Sequence, residues 1–131
     1  MEQLIPIIDN DFLSAVADKL SLRLVNPSKY VIASGERHGS LFISAAWTQD
    51  DITKDATISF TSSSKAGTMF VITVTASGST NTHWFKKDLL DARRAPAQIS
   101  EVWVINRLIA AIDRATTFTL QSLVNKYTTG I

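Results

Sequence analysis

The spacing of apolar side chains divides the chain into regions of different period. In the last quarter, Val102, Ile105, Ile109, Ile112, Thr116, Leu120, Leu123 and Tyr127 recur at steps of three or four, the spacing that lines one face of an α-helix. A long amphipathic helix is therefore expected from residue 96 to about residue 127, with Pro96 at the first position, where a missing N–H is tolerated. Glu101 near its start and Lys126 near its end suit the helix dipole, and Gly130 lies just beyond. Thr116, Thr117 and Thr119 lower helix propensity, so a kink or break is expected between 115 and 119.

A shorter helix is expected near the start. Asp9 is the candidate N-cap, Asp11 sits in the first turn, and Phe12, Leu13, Val16, Ala17 and Leu20 form one apolar face. Ile8 and Leu13 have the spacing of a hydrophobic staple. Before it, residues 4–8 read as a short extended arm that Pro6 confines to an edge or a packed coil.

From Leu22 the period is two for some sixty residues, the mark of half-buried strands. Leu22 and Leu24 alternate with polar neighbours, Asn26, Pro27 and Ser28 make a turn, and residues 29–33 return as a strand. A second turn is expected at 35–39. Leu41, Ile43, Ala45 and Trp47 then alternate with Phe42, Ser44 and Ala46. After a polar loop at 48–55 come Ile58 and Phe60, a hairpin connection at 62–67, and a strand over 68–76 that carries Phe70, Ile72 and Val74 on one side. A turn at 77–81 leads to an edge strand at 82–85, and residues 86–95 read as a helical turn or two. Short polar turns between strands imply antiparallel pairing, because parallel strands need long crossovers.

The fold class expected is α+β: an antiparallel meander of five or six strands, a short N-terminal helix, and a long C-terminal helix packed on one face. Leu41, Ile43, Ile58, Phe60, Phe70, Ile72 and Val74 form the bed for that helix. The opposite face is rich in Thr, Ser and Ala, and water or a partner can cover it. With 131 residues, the chain has the size of a single domain.

Composition narrows the chemistry. The formal charge is +1, which does not point to a nucleic-acid binder or an acidic tail. Residues 1–85 carry six Lys/Arg and eight Asp/Glu, and residues 86–131 carry seven and four, so the basic excess lies at the C-terminal end. Cysteine is absent, which removes disulfides and thiolate chemistry. The opening residues are neither a signal peptide nor a spanning segment, so a soluble, cytoplasmic protein without membrane association is expected.

No catalytic, cofactor or metal signature emerges. His38 and His83 lack any nucleophile-elbow context. Asp50, Asp51 and Asp55 lie close together but lack the glycine and alternating ligands of a calcium loop. Residues 35–39 do not form a phosphate-binding loop. Three functional readings remain. The first is a non-enzymatic protein-interaction module, a homo-oligomer that acts through its sheet face or its long helix. Val104, Leu108, Ala111 and Ala115 widen the apolar arc of that helix, while Trp103 and Phe118 project toward its polar side; either the first helix and the arm at 4–8 cover this surplus or a second copy does, and in the second case Trp103, Leu108, Ala111 and Phe118 are the candidate partner-binding residues. The second is a small-molecule site or simple enzyme with a pocket between sheet and helix, lined by Trp47, Phe60, Phe70 and Ile105. The third is single-stranded nucleic-acid binding through Trp84, Lys86, Lys87, Arg93 and Arg94, beside Phe85, because rings stack on bases while cations track phosphates.

Overall fold

The computed structural model describes residues 8–62, 69–119 and 121. Helix α1 spans Asn10–Arg23, strands β1 to β5 span Val31–Arg37, Ser40–Gln49, Ile52–Ser62, Phe70–Ser79 and Trp84–Arg94, and helix α2 spans Glu101–Thr116. The protein is α+β: the five strands form an antiparallel meander in the order β1-β2-β3-β4-β5. Both helices pack on the same side of it. Helix α1 lies over β1 and β2, α2 lies over β2 to β4, and the helices touch each other.

Local chemistry explains most of the boundaries. The Asp9 carboxylate accepts a hydrogen bond from the Phe12 N–H at 2.9 Å, and the Ser100 hydroxyl accepts one from the Trp103 N–H at 3.1 Å, each satisfying a helix-end donor that has no partner within its helix. Two hairpins turn on two residues. His38 and Gly39 have φ of 55° and 80°, and Asp50 and Asp51 have φ of 55° and 64°. Positive φ at both central residues is the turn whose twist matches that of paired strands. Residues 48–55, expected as a loop, are therefore strand ends around a tight Asp-Asp turn. Gly35 lies inside β1, not in a turn.

Three further expectations are corrected. Leu22 and Leu24 do not open a strand, because α1 runs to Arg23 and a short 3-10 turn at Pro27–Lys29 follows. Residues 86–94 are strand and not helix: their composition favours helix, but backbone pairing with β4 outweighs it, with a register shift between Val74 and Thr75. Pro96 opens a separate 3-10 turn at Pro96–Gln98, and α2 starts five residues later. Helix α2 also stops at Thr116, within the threonine-rich stretch where a break was expected. Leu120, Leu123, Lys126, Tyr127 and Gly130 lie outside the described residues, as does the arm before Ile8.

One hydrophobic core joins the helices to the sheet. It includes Leu13, Val16 and Leu20 of α1, Ile43 and Ala45 of β2, Ile58 and Phe60 of β3, Ile72 and Val74 of β4, and Val104, Ile105, Leu108, Ala111, Ile112 and Ala115 of α2. Ile43, Ile58, Phe60, Ile72 and Val74 were expected to form the bed of the helix, together with Leu41 and Phe70, which are only partly buried against the core. The buried face of α2, however, is rotated from the stripe first read. Its centre is Val104, Leu108, Ala111 and Ala115, all fully buried, while Val102 is 62% exposed. The reason is α1: a helix packed in the angle between a sheet and a second helix buries a wider arc than one resting on a sheet alone. Lys19 of α1 and Glu101 of α2 add an ion pair across this junction, and Arg23 donates to the Asn106 side-chain oxygen at 2.8 Å.

Candidate interaction surface

Period-two alternation gives the sheet a covered face and an open one. The register builds the open face in rows: Phe42, Ser59, Thr73 and Asp91 lie side by side, then Ser44, Thr57, Thr75 and Asp88, then Ala46, Asp55, Ser77 and Lys86, then Thr48, Thr53, Ser79 and Trp84. Outward positions on β2 to β4 are mostly Ser or Thr, and each lies within reach of its cross-strand neighbour. The Ser40 and Thr61 hydroxyls share a hydrogen bond of 2.6 Å, and the Thr57 hydroxyl donates to the Asp55 carboxylate. Most of these side chains are only half-buried, although neither helix touches this side. Its side chains on β3 and β4 are mostly short, with Phe42, Lys86 and Trp84 at its margins. Its charges also balance, with Arg37, Lys86 and Arg93 against Asp55, Asp88 and Asp91.

The candidate partner-binding residues fall elsewhere. Leu108 and Ala111 are fully buried and Phe118 is 5% exposed. Phe118 packs edge-to-face on Phe85, with ring centroids 5.2 Å apart, and covers Gly78. These three side chains are core, so the outer side of α2 does not present them. Trp103 is half-buried, with the Arg94 guanidinium 4.5 Å and the Arg107 guanidinium 5.5 Å from its ring centroid, a cation-π arrangement within the chain.

The pocket residues have a similar fate. Trp47, Phe60 and Ile105 are 4%, 1% and 3% exposed, and Phe70 packs against the same core. Tyr30 stacks edge-on against Trp47 at 5.1 Å. A polar cleft of about 610 Å³ lies at another place, the sheet end where the β2-β3 and β4-β5 turns meet, lined by Asp50, Asp51, Thr53, Ser79, Thr80, Asn81 and Thr82. Asp55 is not among them, and no group of three metal-ligating side chains occurs among the described residues. His83 is near this cleft, where Thr80 and His83 close the turn through a backbone hydrogen bond of 2.7 Å. His38 is in the β1-β2 turn at the opposite end, so the two histidines share no site.

The basic and aromatic cluster is divided by strand alternation. Trp84, Lys86 and Arg93 pair with Ser79, Ser77 and Val71 on the open face, whereas Phe85, Lys87 and Arg94 pair with Gly78, Ala76 and Ile72's neighbour Phe70 on the helix side. No continuous basic track forms from these residues, and Asp88 and Asp91 interrupt the cations that do face outward.

Sequence reasoning missed one residue altogether. Lys54 is 1% exposed and donates from Nζ to the Thr116 carbonyl at 3.0 Å. It thus caps the carbonyl end of α2, where a cation is favoured. Burial holds its ammonium below the ordinary 10.5, with the Asp50 carboxylate opposing the shift and Lys29 adding to it. The signal was parity: Lys54 shares the inward phase of Ile52, Ala56, Ile58 and Phe60, which became visible once 48–55 was no longer read as a loop.

Among the described residues, no helix is long and apolar enough to cross a membrane. Comparison with protein families, characterised proteins and solved structures found no match to this chain.

Proposed function

We propose that the chain is a non-enzymatic protein-interaction module that works as a homo-oligomer and offers the sheet side, not the helix side, to its partner. The observation that carries this reading is the open face: an entire side of a five-stranded sheet on which neither helix packs. Short hydroxyl and methyl side chains let a second surface approach closely, and balanced charges impose no net repulsion on it. Helix α2 contributes by completing the core and stiffening the platform from behind.

Light scattering over a rising concentration series tests the oligomer. The reading expects a mass near twice the 14.4 kDa of one chain at the upper end. A strict monomer throughout would remove its main support.

A further inference from the structure

The two edges of the sheet differ in a way that goes beyond the open face. Strand β5 has charged side chains at Lys86, Lys87, Asp88, Asp91, Arg93 and Arg94 and a register irregularity against β4; charge and bulging are what keep an edge from recruiting another strand. Strand β1 has neither protection over residues 31–35. It reads Val-Ile-Ala-Ser-Gly, pairs regularly with β2, and has no neighbour on its other side among the described residues. Helix α1 lies over part of β1, where Ile32 packs against the core, but Ser34 is exposed although it faces the helix side, so α1 leaves the strand open at that point. Three large apolar residues are exposed on the way into it: Leu22 at 85%, Val25 at 103% and Val31 at 70%.

We propose that β1 pairs antiparallel with β1 of a second copy about a two-fold axis at Ala33, so that two sheets become one. This deepens the interaction-module reading and rests on it. An antiparallel edge is self-complementary, because the two-fold that reverses the strand also matches each outward N–H to a carbonyl. Side chains select the register. With Ala33 opposite itself, Val31 of each copy lies opposite Gly35 of the other and Ile32 opposite Ser34. Gly35 leaves its open-face space free, and a Cβ there would lie 3.7 Å from Cε1 of Phe42; the incoming valine therefore reaches the edge of the Phe42 ring across the glycine, while the Arg37 guanidinium lies over that ring 4.3 Å from its centroid. Centring on Ser34 would instead set Val31 against Arg37 and Ile32 against Glu36, matching each apolar side chain with a charge. Beyond residue 35 the pairing stops, because Arg37 would meet Lys29, which lies in a 3-10 turn. The axis is perpendicular to the sheet, so both open faces point the same way and form one platform of twice the width, with all four helices behind it.

The chain has no cysteine, which makes a single introduced thiol diagnostic. Directly opposite residues in an antiparallel pair have Cα atoms about 4.5–5.5 Å apart, within disulfide range. Ala33→Cys, Thr57→Cys and Asp88→Cys variants, each with a circular dichroism spectrum matching the parent, are oxidised mildly at the same protein concentration. Ala33→Cys is expected to form the disulfide dimer at least about tenfold faster than the other two, because the dimer holds its thiols at high effective concentration. Ala33→Lys, which places like charges against each other on the axis, is expected to return the mass to that of one chain. Faster linkage at Thr57→Cys would overturn the edge pairing and indicate sheets stacked face to face, leaving the interaction module standing. Faster linkage at Asp88→Cys would overturn it in favour of β5. A monomeric Ala33→Cys protein whose β1 amides are nonetheless protected from exchange would show that the chain covers its own edge. Monomers with unprotected β1 amides would remove the edge pairing and the homo-oligomer together.

Discussion

The two faces of the sheet are made by the same strands, residue by alternate residue, yet two helices close one, and neither of these helices packs on the other face. On the helix side, Ile43, Ile58, Phe60, Ile72 and Val74 meet two helices and are almost fully buried. On the open side, Ser44, Thr57, Ser59, Thr73 and Thr75 stay half-buried among themselves. Stability therefore belongs to one face, and the other is free to change without unfolding the molecule. On the proposed reading, a second surface meets the open face or the β1 edge and not α2.

Substitutions at the centre of the covered face have the largest expected effect. Leu108→Ala removes a fully buried side chain and is expected to cost about 2–5 kcal/mol of unfolding free energy in denaturant titration; a loss below 1 kcal/mol on this measure would mean that α2 is not seated as described. Next is Gly78→Val, on the same face. A Cβ at Gly78 would lie 3.2 Å from Phe118 Cδ2 and 3.3 Å from Ile52 Cγ2, so crowding should cost about 1–3 kcal/mol. If the melting temperature did not change, Phe118 would not rest there.

Lys54 sharpens the contrast from inside the covered face. Its folded pKa lies below 10.5, so between the two values the unfolded chain holds a proton that the folded chain has released. Stability contributed by this group therefore rises with pH through that alkaline window, and the buried ammonium is unfavourable below it. Lys54→Met should remove this rise. The test is the difference in unfolding free energy between parent and variant, measured from neutral to alkaline pH; a pH-independent difference would contradict the burial. The smallest effect is expected at the middle of the open face: Thr57→Val should change stability by no more than about 0.5 kcal/mol in either direction. A cost comparable to Leu108→Ala would mean that this face is already closed.

How much of this was legible in the chain depended on which signals compete. The covered face of the sheet could be read directly, because Leu41, Ile43, Ala45 and Trp47, and then Phe70, Ile72 and Val74, recur at every second position with a smaller or mixed set between them, a pattern that a strand buries on one side. The caps at Asp9 and Ser100 are equally local, although the prominence of Pro96 drew the helix start away from Ser100. What failed was non-local. Residues 86–94 prefer helix by composition and become strand only because β4 supplies a ladder to pair with. Asp50 and Asp51 look like a polar loop until both adopt the left-handed conformation that closes a tight hairpin. The apolar surplus on α2 was real, and the sequence left two covers open, the first helix with the N-terminal arm or a second copy; α1 takes up that surplus. Leu108, Ala111 and Phe118, a docking surface in the second case, turned out to be core.

Hydrogen exchange measured at low and high protein concentration tests most directly where the chain is incomplete. The account expects the amides of residues 31–35 to become protected as concentration rises, while those of α2 and β5 stay unchanged. Exchange in β1 that is indifferent to concentration, or new protection appearing along α2, would contradict it.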